Sequence, residues 1–236
     1  MNWISARKYQ TLLVSLLALI FIYPVLGHST EYRFLFDVLL SFVFLAALLV
    51  LFTDRRLRML AIIIGGPLLL GTWMGLFFSD APRRPVAIGF HTLTAVFLGF
   101  TVGALMLKFY QERSVTADAV YGAFCGYLLL GLTFGHIYST IEWIKPGSFH
   151  GENASVTSKF VEEWHRHFLL IYFSFMTLTT VGYGDLTPAG DFARGVVVVE
   201  AISGQFYLAV LVAELIGRRV GQRSFHDSGG RDNAGS

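Results

Sequence analysis

Residues Thr179, Thr180, Val181, Gly182, Tyr183, Gly184 and Asp185 form the run TTVGYGD, the part of the chain whose types and spacing carry the clearest chemistry. Glycines at 182 and 184 accept backbone conformations with φ > 0 that a side chain penalises. Successive carbonyl groups can then face one side instead of alternating. A row of inward carbonyls replaces the water shell of a dehydrated cation, and the Thr180 hydroxyl adds an oxygen at the inner end.

The apolar stretch HFLLIYFSFMTLTT at about 166 to 179 is too short to cross a bilayer and leads straight into this run, so it reads as a re-entrant half-span. If the carbonyl row lines an ion path, the C-terminal end of this segment would face it and present partial negative charge to a cation. Longer apolar segments run from about 11 to 27, 34 to 52, 59 to 78, 86 to 107, 118 to 140 and 192 to 217. Each approaches the roughly 20 residues that a spanning helix needs. The fold class expected is an all-α membrane protein: six transmembrane helices, plus the re-entrant helix and its loop.

Composition points the same way. The 236 residues are 54% hydrophobic and only 14% charged, with a mean hydropathy of +0.59. A soluble domain carries about 25% charged residues and a disordered chain few aromatics, so both classes are disfavoured. A net charge of +2, its basic residues in short clusters between apolar runs, speaks against nucleic acid. Cys125 is the sole cysteine, which excludes an intrachain disulfide. No Ser/His/Asp, Cys/His or zinc-ligand arrangement stands out in a loop open to solvent, so the chain is not expected to be an enzyme or to carry a cofactor.

Orientation follows from Lys and Arg in the short loops. One side holds eleven, including Arg7, Lys8, Arg55, Arg56, Arg58, Lys108 and Arg113, against seven on the other. Both termini are therefore expected in the cytoplasm. The external 141 to 191 segment bears Glu142, Glu152, Glu162, Glu163, Asp185 and Asp191, expected to form an acidic face that concentrates cations.

The TVGYG run, with an apolar half-span before it and a spanning helix after it, resembles the filter of the tetrameric potassium-channel superfamily. Residues 118 to 217 look like that family's outer helix, pore helix, filter and inner helix, particularly in bacterial members with short tails. The resemblance implies a homotetramer, because one loop supplies a quarter of the tube, with K+ held at Thr180, Val181, Gly182, Tyr183 and Gly184. It implies a gating hinge at Gly204, a cavity lined by Gln205, Leu208, Val212 and Ile216, and an aromatic pair, Tyr172 and Phe173, behind the filter. Where the bacterial pH-gated channel has a pore-helix glutamate bonded to the filter aspartate, this sequence has Met176. Tyr172 is then the candidate hydroxyl partner for Asp185.

Glu200 is a carboxyl at membrane depth, costly there and usually functional. It lies one turn before Gly204 and shares its helix face, so it is expected to hydrogen-bond Thr177 or Thr179 and brace the filter with Thr179 and Asp185. The fourth span contains no Arg or Lys between Arg84 and Lys108, which predicts no strong voltage dependence, since each gating charge is worth about 2.3 kcal/mol per 100 mV.

Other polar groups get modest roles. Asp37 is assigned to the interface, and His91 to a backbone carbonyl or serine. His136 has no stronger case, and His165 and His167 do not share a helical face, so metal binding is not expected. Glycine pairs four apart, among them Gly131 with Gly135, read as intramolecular packing sites. Residues 1 to 117 form a non-voltage-sensing four-helix domain, 118 to 217 the pore domain, and 218 to 236 a disordered cytoplasmic tail. Arg218, Arg219 and Arg223 meet lipid headgroups. The Asn153 turret is a solvated loop. The expected location is the plasma membrane, with a bacterial inner membrane the best fit.

The function expected is passive, potassium-selective conduction. The rivals are a potassium transporter, a non-conducting regulatory subunit and a weakly selective cation channel; the first needs four such loops in one chain, and the intact TVGYG run disfavours the other two.

Overall fold

The computed structural model describes residues 8–26, 33–51, 55–77, 83–111, 117–151 and 163–231. Seven helices occupy nearly all of them: α1 (Lys8–Leu26), α2 (Arg33–Leu51), α3 (Arg55–Phe77), α4 (Arg83–Gln111), α5 (Ala117–Ile144), α6 (Glu163–Leu178) and α7 (Asp191–Arg231). Strands β1 (Phe149–Gly151) and β2 (Leu186–Pro188) pair antiparallel, with His150 opposite Thr187. The protein is all-α, as its apolar runs require. Among the described residues, α4, α5 and the first part of α7 are long and apolar enough to cross a membrane, while α1, α2 and α3 hold shorter apolar stretches. α3 continues through Pro67 without a break.

Helix α5 is the hub. It packs on α4 most extensively, then on α6 and α1, and also on α7. Arg84, at the start of α4, donates to the last carbonyls of α5 on Trp143 at 3.0 Å and Ile144 at 2.8 Å. These orphan groups of a helix end find a cationic cap, and the two helices are fixed antiparallel.

Two cores result. The larger joins α1, α2, α4 and α5 through side chains such as Leu12, Phe44, Phe97 and Leu129. The smaller surrounds α6: Tyr138, Phe149 and Phe173 pack at 5.1 to 5.6 Å between ring centres, closed by Leu170 and Leu186. Through Phe149 and Leu186, this core anchors both strands of the ribbon beside the Thr179–Asp185 loop.

Three sequence expectations change here. Helix α7 runs to Arg231, so the backbone from 218 to 231 is helical where a disordered tail is expected. An established helix extends without a new nucleation step, and RRVGQR contains no proline to stop it. Glu142 does not belong to an acidic surface. It is buried, and its carboxylate accepts the backbone N–H groups of Gly147 at 2.8 Å, Ser148 at 3.0 Å and Phe149 at 3.3 Å. It organises the turn after α5, in which Gly147 takes φ 87°. Finally, His91 bonds neither a backbone carbonyl nor a serine but another histidine, as described below. The Asn153 triplet, Glu152, Glu162, Asn233 and Gly235 lie outside the described residues.

Candidate functional site: the loop after the half-span

The short helix α6 ends at Leu178, and the next residues do not continue as ordinary loop. The N–H of Thr179 donates to the Phe175 carbonyl at 3.0 Å, that of Thr180 to Thr177 at 3.0 Å, and those of Val181 and Gly182 both to Met176, at 2.9 and 3.2 Å. Within a planar trans peptide the C=O points opposite to the N–H. With three successive N–H groups, 180 to 182, turned back on α6, the carbonyls of Thr179, Thr180 and Val181 face away from it.

The dihedral angles complete the pattern. Positive φ occurs at every second residue, 60° at Thr180, 53° at Gly182 and 80° at Gly184. The two glycines take this conformation without penalty. Thr180 is the only non-glycine residue with positive φ among the described residues, and a β-branched side chain there is strained. Strain of this kind, about 1–2 kcal/mol, persists where surrounding bonds over-determine it. Residues 179 to 185 are all exposed in the single chain.

Tyr172 and Asp185 flank the outer end. The Tyr172 hydroxyl donates to Asp185 Oδ2 at 2.9 Å, while Asp185 Oδ1 accepts the Leu186 N–H at 3.1 Å. A phenol is protonated at neutral pH, so Tyr172 is the donor in this pair. Changing Tyr172 to Phe removes this bond and keeps the ring. The expected cost is about 1 kcal/mol, read as faster loss of conduction during sustained opening with little change in thermal stability.

Behind the loop, Glu200 is fully buried but does not reach Thr177 or Thr179. Its carboxyl accepts the Tyr138 hydroxyl of α5 and the Ser174 hydroxyl of α6, and Ser174 also lies 2.7 Å from the Gly131 carbonyl. Thr179 bonds back to the Phe175 carbonyl at 2.6 Å. Register explains the correction: α6 and α7 descend together, Gly204 meets Leu178, and one turn higher Glu200 meets Ser174, not a residue beyond it. The carboxyl therefore ties α5, α6 and α7 together at one level.

Gly204 sits at a close approach. A Cβ there would fall 2.8 Å from both the Leu178 carbonyl oxygen and Leu178 Cδ1. That oxygen also accepts the Tyr127 hydroxyl at 3.1 Å. Glycine is thus required by packing at the point where the loop leaves α6, whether or not α7 also bends there. Changing Gly204 to Ala separates the two roles. Packing makes melting temperature fall and conduction fail together; a hinge alone leaves the protein as stable or more so, since alanine favours a helix by about 1 kcal/mol, and alters only opening.

Gln205, Leu208, Val212 and Ile216 of α7 are all exposed in the chain, whereas Gly204 and Tyr207 are buried against α6 and α5. Gly135 and Gly131 of α5 do serve intramolecular packing. An added Cβ at 135 would lie 2.9 Å from the Ile171 backbone, and Gly131 lies under the Phe175 ring.

A family model described as ion channel matches residues 124–219, the stretch that holds most of α5, all of α6, the loop and the apolar part of α7. A protein from Bacillus caldotenax described as Protein LctB is 28% identical over 127 residues, covering 52% of this chain and 90% of that relative. No solved structure matches the chain. With its apolar helices, the family match supports a passive ion channel in an all-α membrane protein, with residues 124–219 as its ion-channel segment.

Proposed function

We propose that the chain is one subunit of a homotetrameric, potassium-selective channel that conducts K+ passively across the plasma membrane. The observation that carries this is the alternation of positive φ at 180, 182 and 184, together with N–H groups turned back on α6. It leaves a row of carbonyls directed away from the protein's own helices, with Thr180 to Gly184 as the ion ligands. Four such rows around an axis make a tube. The exposed run 179 to 185 and the exposed Gln205, Leu208, Val212 and Ile216 face that axis and the neighbouring subunits.

A cation without water needs several oxygens at once, and each subunit offers one per layer. Selectivity follows because the spacing and number of these dipoles suit K+ better than Na+. Tyr172, Asp185 and Glu200 hold the loop in place, and no group in it is chemically changed by a passing ion. The first four helices complete six spans with both termini in the cytoplasm. The gap in charge between Arg84 and Lys108 along α4 supports gating that is not strongly voltage-dependent.

Liposome flux tests the proposal. Purified protein should carry K+ down its gradient and not Na+. Flux of both ions would replace it with a weakly selective cation channel, and flux of neither, across pH and applied potential, with a non-conducting subunit.

A further inference from the structure

Three histidines far apart in sequence meet between α4, α5 and α6. His91, His136 and His167 are all buried, at 8%, 1% and 9% exposure. One ring nitrogen from each lies within 4.8 Å of the others. Their ring centres are 4.5, 4.6 and 5.2 Å apart, and the Nδ1 atoms of His91 and His136 approach to 3.0 Å. We propose that His91, His136 and His167 form a binding site for a divalent transition cation of the zinc class, joining α4 to the half-span that carries the ion-binding loop.

The donor set fits. Imidazole nitrogen suits Zn2+ and its neighbours, and three histidines with a fourth position left to water are a recurrent zinc arrangement. Tetrahedral ligands at about 2.0–2.1 Å from zinc stand about 3.4 Å apart. The His91 to His136 separation is near that value, and every other separation lies within 4.8 Å.

A supporting bond fixes one ring. The Ser139 hydroxyl lies 2.9 Å from the Gly135 carbonyl, to which it donates, and 2.6 Å from His167 Nδ1. With its own proton committed to Gly135, Ser139 accepts from His167 Nδ1–H. This assigns the basic lone pair of His167 to Nε2. A ligand histidine held through its other nitrogen is the usual arrangement around a protein metal.

The position gives the site a consequence. His91 lies two turns into α4 from Arg84, about 10 Å below the capped end of α5, and His136 is at the same depth on α5. An ion here cross-links three helices, of which α4 belongs to none of the filter's supports described above. Helix α4 thereby gains a direct hold on the top of α6. Binding is independent of whether the chain conducts K+.

The test uses the full-length protein in detergent, its affinity tag removed and its metal stripped, then exposed to Zn2+ or Co2+ alone. One Zn2+ per chain and the intense visible absorption of tetrahedral Co2+ are expected. H91Q, H136Q and H167Q should each lose the ion, and S139A should weaken affinity about 10–100-fold. Because buried substitutions can impair folding, the Co2+ spectrum of the unaltered protein decides by itself: absence of the tetrahedral bands overturns the site. Zn2+ retained at full stoichiometry in all three histidine variants also overturns it, leaving a hydrogen-bonded histidine cluster.

Discussion

Changing Glu200 to Ala is expected to abolish ion flux and destabilise each subunit by about 3 kcal/mol, while Glu200→Gln keeps most of both. The carboxyl joins Tyr138 of α5 and Ser174 of α6, and all three residues are fully buried. Alanine leaves the buried Tyr138 hydroxyl without its acceptor, at about 1–3 kcal/mol when not rescued, and adds a cavity, while Ser174 keeps the Gly131 carbonyl. Glutamine can still accept from Tyr138 through its carbonyl. Its amide can donate to Ser174, whose own proton then serves the Gly131 carbonyl. Thermal melting and liposome flux on both variants check this. Equal behaviour of the alanine and glutamine variants would remove Glu200 from the support of the loop.

The second large effect concerns Gly182. Its φ of 53° is a conformation that costs an L-residue about 1–2 kcal/mol, yet no atom lies within 4 Å of an added Cβ in the chain. Gly182→Ala is therefore expected to leave the subunit's fold intact and to lower its melting temperature only slightly. Across four subunits the strain turns the carbonyl row, and K+ selectivity is lost. Gly195→Ala is the control, because Gly195 also has open space around it but ordinary helical backbone. It should conduct like the unaltered protein. A Gly182→Ala channel that still excludes Na+ would mean that the backbone conformation at 182 does not set selectivity.

What the sequence makes legible divides along physical lines. Helices α1 to α5 and the apolar part of α7 are written in composition, since twenty apolar residues have few alternatives. The loop from Thr179 to Asp185 is legible in part because its chemistry is local: Gly182 and Gly184 mark two of its three positive-φ positions, while Thr180 gives no such sign. Glu200 stands out as a carboxyl in an apolar run. Its partners do not, because they depend on the register between α6 and α7, fixed by the contact of Gly204 with Leu178.

Features assembled from distant segments are the ones missed. His91, His136 and His167 lie on three helices, and nothing in their spacing brings them together. The arrangement becomes foreseeable only once Arg84 pins α4 to the end of α5. Glu142 looks like a surface charge until Gly147 folds the chain back over it. The β1–β2 ribbon is three residues per strand, too short for any periodic signal.

The most direct test of the central proposal is the reversal potential of the purified protein in a planar bilayer, with K+ on one side and Na+ on the other. A potential driven close to the K+ equilibrium value, and shifted toward zero in Gly182→Ala, is the expected result. A reversal potential near zero for the unaltered protein would contradict potassium selectivity and with it the role assigned to Thr180 through Gly184.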